Sequence, residues 1–222
     1  MSVNLLAQLG LATEEIYHPR LVTATIVSAS QDVALLKIAS ISSTGQDAVL
    51  PATEWYPSKR WSIGDSHQLL QMDPGPRPLL SAVRAEVVEH MLCGVSPEVR
   101  SGAVRIMGIA RQPGVRTKIA VAACEQGVDP IAACVGRSAN RVRLISSMLL
   151  GERIDVVAWH PDPADYLRAA LAPASINKVE IDGDEARAYA PGHQMSAAVG
   201  GGGLNSQLAG QLVGLRVTVI PD

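Results

Sequence analysis

The chain has 222 residues, 47% of them hydrophobic, and a formal net charge of −2, room enough for one large or two to three small domains with real cores. No apolar run approaches the ~20 residues that span a bilayer, and the opening MSVNLLAQLGLATEE lacks the basic flank and cleavage site of a secretory signal. The expectation is a cytoplasmic protein without membrane contact, and its near-balanced charge argues against a non-specific nucleic-acid binder.

Residues 1–16 (the segment before the barrel is taken as 1–18) read as a short amphipathic helix, with Leu5, Leu6, Leu9 and Ile16 at helical spacing. From Leu21 the period changes. LVTATIVSA, VALLKIAS and DAVLPATEW are strand-like runs parted by Ser30-Gln31-Asp32 and Ser42-Ser43-Thr44-Gly45. HQLLQM follows Ile63-Gly64-Asp65, and LLSAV follows the turn Asp73-Pro74-Gly75-Pro76. Five such runs predict a small β-barrel of the OB type over residues 19–81. Two readings fit Trp55, Tyr56 and Trp61: stacking on nucleobases, or packing of a core that has no Phe to draw on.

Residues 82–92 return to helical spacing, with Val83, Val87, Val88 and Met91 on one face. VRIMGIARQ and RTKIAVAA are strands. Pro130–Val135 is a short helix with Asp129 as N-cap and Pro130 in its first position. A second helix over Asn140–Leu149 and the strand RIDVVAW, whose Trp159 is a core residue, complete a unit over 82–160. Pro161-Asp162-Pro163 marks a boundary. Within 161–222 the plan recurs: helix ADYLRAAL, hairpin INKVEID/EARAYA around Gly183, helix MSAAV, the run Gly200–Gly203, helix LNSQLAGQL and strand RVTVI. The turn glycines Gly136 and Gly200 lie roughly sixty-five residues apart. Helix–strand–strand–helix–turn–helix–strand is the order of a KH domain, whose Gly-x-x-Gly turn clamps the backbone of single-stranded nucleic acid. The fold class expected is α+β: an OB-type barrel followed by two tandem KH domains.

Charge is unevenly spread along the chain. Between Arg100 and Arg143 eight basic residues stand against two acids, whereas the last fifty residues carry three basic against five acidic. The middle domain is therefore expected to offer a phosphate-binding face. Its candidates are Gly136, Arg137 and Ser138 of the turn, Arg141 and Arg143 of the following helix, and Arg116 and Lys118 of the preceding strand. Ala139 stands where the second glycine belongs, which strains or reshapes the turn. In the second unit Gly200, Gly201, Gly202 and Gly203 offer backbone N–H groups at a helix N-terminus, supported by Asn205, Gln207 and Gln211. The plainer alternatives are a solvated arginine face and a glycine linker. Enzyme patterns are missing: the five histidines are scattered, no Walker-type loop with Lys occurs, and Cys93, Cys124 and Cys134 lack the paired spacing of a zinc site. No catalytic residue, metal or cofactor is expected.

The segment Arg111–Trp159 resembles the first KH domain of the bacterial transcription elongation and termination factor family NusA. The matching pieces are the Arg-x-Pro-Gly-x-Arg-x-Lys-Ile-Ala-Val run, Val128-Asp129-Pro130, Ala133-Cys134-Val135-Gly136 and Gly151-Glu152-Arg153-Ile154-Asp155. Asp162-Pro163-Ala164, Leu171-Ala172-Pro173-Ala174, Lys178-Val179, Ala198-Val199 with the glycine run, Asn205, Leu208-Ala209, Gln211-Leu212 and Gly214 continue it. The resemblance implies an OB fold and two fused KH modules that bind single-stranded RNA behind RNA polymerase and modulate pausing, termination and antitermination. Its implied partners are RNA and RNA polymerase or other transcription-complex proteins.

This sequence departs from the family pattern in three places. The family's N-terminal polymerase-binding domain is expected to be absent, with about sixteen residues in its place. The first turn has Ala139, and Gly201, Gly202 and Gln207 stand where the family's second module has basic residues. Two functions stay open: a non-catalytic RNA-guiding transcription factor, and a protein–protein scaffold with vestigial KH turns.

Overall fold

The computed structural model describes residues 18–39, 45–57 and 59–222; the helix expected over 1–16 and residues 42–44 of the first long turn lie outside them. The strand-like period of the N-terminal third folds as expected. Arg20–Ala29 (β1), Val33–Ile38 (β2), Gln46–Pro51 (β3), Ser66–Gln71 (β4) and Leu80–Ser81 (β5) form one sheet in the order β3-β2-β1-β4-β5. Neighbouring strands are antiparallel, and a parallel bridge from Val49 to Leu79 joins the two edges. The result is a near-closed, OB-like barrel. Alternation places Val22, Ala24, Ile26, Ala34, Leu36 and Leu50 inside.

The fifth strand is shorter than its sequence pattern. The Ser81 hydroxyl accepts the N–H groups of Val83 and Arg84 at 3.2 and 3.3 Å, turning the chain out of the sheet. Trp55 and Tyr56 are each 4% exposed. Trp61 stacks on Trp55 at 5.3 Å between centroids, and the Trp55 indole N–H donates to the Lys59 carbonyl at 3.0 Å. So little of the Trp55 and Tyr56 rings is exposed that neither offers a face to a base; both pack the barrel, with half-buried Trp61 lying against them.

The first α+β unit runs Ala85–Val95 (α1), Pro97–Arg100 (α2), Val104–Gln112 (β6), Arg116–Ala123 (β7), Pro130–Val135 (α3), Asn140–Met148 (α4) and Arg153–Ala158 (β8). Asp129 caps α3 by accepting the N–H groups of Ile131 and Ala132 at 2.9 and 3.0 Å. The sheet order is β6-β7-β8, antiparallel and then parallel. The second unit repeats this with Pro163–Ala170 (α5), Lys178–Asp182 (β9), Glu185–Ala190 (β10), Met195–Val199 (α6), Leu204–Val213 (α7) and Arg216–Pro221 (β11). Its sheet is β9-β10-β11, again antiparallel then parallel.

The units are joined through β7, the middle strand of its sheet. Ile119 and Val121 point into the core of their own unit. Ala120 points the other way, into a cluster with Val157 and Tyr166 against which Trp159, Leu212 and Val213 pack. Gly108 on β6 lets this contact close, since a Cβ there would lie 3.3 Å from Leu212 Cδ1. Near the barrel, buried Glu152 accepts from Arg111 Nε at 2.8 Å, Arg111 Nη2 at 2.9 Å, the Gly114 N–H at 2.8 Å and the Thr117 hydroxyl. Arg111 also donates to the Arg84 carbonyl at 2.7 Å, at the start of α1. These donors tie the Glu152 carboxylate to the strands that supply them.

Candidate nucleic-acid interface

Both helix–turn–helix junctions have one backbone trace. Gly136 has φ 76° and ψ 169°, and Gly200 has φ 76° and ψ 165°, a region open essentially to glycine alone. Two residues on, Ser138 has φ 52° and Gly202 φ 61°; three residues on, Ala139 has φ 60° and Gly203 φ 79°. The hydrogen bonds match as well. Gly136 donates to Ala132 and Ala139 to Gly136 at 2.9 and 3.0 Å; Gly200 donates to Ser196 and Gly203 to Gly200 at 2.9 and 3.1 Å. Ala139 therefore strains the first turn without reshaping it.

Close packing beneath the turns explains why the leading glycines are obligatory. A Cβ on Gly136 would run into Asn140 Oδ1 and sit 2.7 Å from Arg141 Cγ, and one on Gly200 would sit 2.7 Å from the backbone nitrogen of Asn205. Above the turns the situation is reversed: a Cβ on Gly201, Gly202 or Gly203 would meet nothing within 4 Å. No side chain caps α4 or α7, so no cap takes up their first-turn N–H groups, which have no intrahelical acceptor. Such an N-terminus attracts anions.

The side chains divide into those at the surface and those below it. Arg137 is exposed and takes part in no hydrogen bond or ion pair among the described residues. Arg143 is exposed and donates to the Ser138 carbonyl inside the turn. Gln207 and Gln211 are exposed on α7, beside a groove of about 570 Å³ that also touches Ser206 and Arg216. A groove of about 490 Å³ lies next to the first turn, between Glu98, Val128, Asp129, Arg137 and Asn140.

Four expected phosphate contacts have other roles. Arg116 is 9% exposed and Lys118 fully buried. Arg116 Nε donates to Asp155 Oδ2 at 2.6 Å, while Lys118 Nζ donates to the Ala172 carbonyl at 2.9 Å and lies 3.6 Å from Asp155. They occupy the face of β7 that the second unit covers, so no phosphate reaches them. Burial lowers the Lys118 ammonium to about 8, against the opposing pull of Asp155. Asn205 is fully buried and donates to the carbonyls of Leu171 and Ala198 at 2.9 and 3.0 Å. Arg141, at the same place relative to its turn, pairs with Glu98 at 2.8 Å and donates to the Ala133 carbonyl. These two hold the turns from behind.

Sequence reasoning missed Ser96 and Glu98, which anchor Arg141. The Ser96 hydroxyl also lies 3.0 Å from the Ala133 carbonyl and 3.0 Å from Glu98 Oε2. Ser96-Pro97-Glu98 has the local form of a helix start, and nothing near it in sequence links it to residue 141. Among the described residues no cluster of three or more His, Cys, Asp or Glu is placed to hold a metal.

Comparison with known proteins matches residues 83–159 to the NusA-like first KH domain and residues 163–222 to the NusA-like second KH domain. The chain is a NusA-like protein with two KH domains. Its relatives include the transcription termination/antitermination protein NusA of Thermus thermophilus, 37% identical over 178 residues, which cover 77% of this chain and 46% of that one. NusA of Halalkalibacterium halodurans is 32% identical over 78% of this chain and 47% of its own length. NusA of Mycobacterium tuberculosis is 34% identical over 79% and 53% respectively. This NusA-like chain thus spans about half the length of the curated relatives it matches. The two matched turns are the paired junctions described above.

Proposed function

We propose that this NusA-like chain is a non-catalytic RNA-binding factor of transcription complexes, guiding single-stranded RNA over its two KH turns and acting on elongation, termination or antitermination. The observation that carries the reading is the shared trace of the turns, kept in the first one although Ala139 must take a left-handed conformation for it. Strain of that kind persists where the surroundings over-determine it, and it concentrates at binding sites. The first turn adds the charges of Arg137 and Arg143 to its backbone donors, and the second works through backbone dipoles, with Gln207 and Gln211 alongside. RNA and the proteins of a transcription complex are the partners that follow.

Burial of Arg116 and Lys118 favours one competing reading, a scaffold whose turns are vestigial. The two differ in their response to salt. Each phosphate contact on a single strand contributes about 0.7 to the log–log slope of affinity against salt, so two arginines give a slope of roughly −1.4. Fluorescence anisotropy of a labelled single-stranded RNA over a KCl series reads it directly. Arg137→Ala with Arg143→Ala should abolish most of the slope. No binding by folded wild-type protein at low salt would leave the scaffold as the better account.

A further inference from the structure

The groove beside the first turn carries polar groups that the fold itself leaves unused. It encloses about 490 Å³, within the ~300–1,000 Å³ of small-ligand sites. Val128, Ala132 and Ala133 give it an apolar wall, and the Glu98–Arg141 ion pair lines it as well. Three further lining groups have no partner among the described residues. Asp129 spends one carboxylate oxygen on the α3 cap, Oδ1 accepting from Ile131 and Ala132, while Oδ2 accepts nothing. The exposed Asn140 amide lies against Gly136 and makes no hydrogen bond. Arg137 is unpaired, and it belongs to the turn as well as to the groove.

These groups suit the edge of one kind of base. A carboxylate oxygen only accepts, so Asp129 Oδ2 calls for an N–H, and the amide in the same groove offers a donor to a neighbouring ring nitrogen. Adenine and cytosine set an amino group beside such a nitrogen, whereas uracil sets a carbonyl there, which a carboxylate repels. The lining charges balance, Glu98 and Asp129 against Arg137 and Arg141, so the groove does not draw a cationic peptide in preference to a neutral base. The second module lacks the set. At the same distances from Gly200 it has His193, Gly201 and Leu204 in place of Asp129, Arg137 and Asn140.

We propose that Asp129 and Asn140 make the first turn selective for adenine or cytosine over uracil, reading the base of the nucleotide whose phosphate Arg137 holds. The proposal rests on the RNA-guiding function given above and adds to it the bases that this turn accepts. Asp129 then has two tasks divided between its oxygens, the helix cap on Oδ1 and the base on Oδ2. A carboxylate beside a phosphate-binding turn also repels every strand alike. That repulsion changes absolute affinity and cancels in the ratio between two strands of equal length, so selectivity is measured apart from it.

The test compares labelled oligo(rC) with oligo(rU) of equal length by fluorescence anisotropy, using the full chain. Both are pyrimidines, and they differ in the amino group and the ring nitrogen beside it. The wild type should bind oligo(rC) at least about fivefold more tightly, the lower end of what a good base contact discriminates. Asp129→Asn keeps the helix cap, since asparagine caps as well as aspartate, and its amide can turn to offer uracil a donor, so the preference should shrink to near parity. Asn140→Ala, at an exposed position without hydrogen bonds, should shrink it too while the salt slope keeps its wild-type value, because Arg137 is untouched. Equal affinity of the wild type for both oligonucleotides overturns the proposal and leaves the turn a sequence-blind clamp. So does a preference that survives Asp129→Asn in a variant with the wild-type melting temperature. Failure of the folded wild type to bind either oligonucleotide at low salt overturns the RNA-guiding function itself, and this proposal with it.

Discussion

Ala139→Gly separates a strained turn from a reshaped one. Ala139 holds φ 60° and ψ 26°, and Gly203 holds φ 79° and ψ 5° in the corresponding place. A left-handed alanine costs about 1–2 kcal/mol, because its Cβ crowds the following carbonyl. Glycine removes that cost but adds unfolded-state entropy worth about 0.4–1 kcal/mol. The balance is a gain of about 0.5–1 kcal/mol for Ala139→Gly and a loss of similar size for Gly203→Ala. The reverse change meets no steric obstacle, since nothing lies within 4 Å of a Cβ at Gly203. Urea unfolding should show the midpoint moving in opposite directions for the two variants with an unchanged slope. In a thermal melt each kcal/mol moves Tm by roughly 2–4 °C for a chain of this length that unfolds as one unit. RNA affinity should stay the same in Ala139→Gly, because the trace is already that of the glycine turn. A neutral or destabilising Ala139→Gly would refute the left-handed alanine. A large gain in affinity would show that alanine had distorted the turn after all.

Gly200→Ala should be far more harmful than Gly203→Ala. The Gly200 backbone angles cost another residue about 1–3 kcal/mol, and its Cβ would lie 2.7 Å from the backbone nitrogen of Asn205; similar melting temperatures for the two variants would contradict this packing. Lys118 should imprint a pH dependence on stability. Its folded value of about 8 lies below the ordinary 10.5, so between these values the unfolded chain binds more protons and stability rises with pH, by about 3 kcal/mol in all. Cys134, pushed up to about 11 by burial, works the opposite way above pH 9. The difference between wild type and Lys118→Met cancels that effect. It should grow in favour of the wild type from pH 8 to 10.5, and a flat difference would mean that Lys118 is hydrated. Replacing Gly201 and Gly202 together by aspartate should preserve the helical circular dichroism, since a helix N-terminus tolerates acids, yet lower RNA affinity more than the matching alanine pair. Equal affinity for the aspartate pair and the wild type would show that RNA does not touch this turn.

Much of the architecture is written in short-range patterns. The period-two runs from Leu21 to Leu50 put alternate side chains inside a barrel. Asp129-Pro130 starts a helix wherever it is placed, and the glycines at 136 and 200 permit backbone angles that other residues resist. Arg137, Arg143, Gln207 and Gln211 are exposed on the turns and helices where sequence put them. Local patterns do not say which face of an element a distant segment will cover. Arg116 and Lys118 alternate with Thr117 and Ile119 as a solvent-facing row would, but the helices of the second unit lie against that row. The Lys118 ammonium ends on a carbonyl 54 residues away. The small residues of Lys-Ile-Ala-Val-Ala-Ala were the available hint, since a strand buried on both faces loses its polar alternation. Arg141 and Asn205 have unlike chemistry and the same task, and only the fold brings each to the carbonyls behind its turn. Periodicity and allowed backbone angles are properties of a few neighbouring residues, whereas burial depends on the rest of the chain, so the tertiary structure alone decided which cations were left for a phosphate.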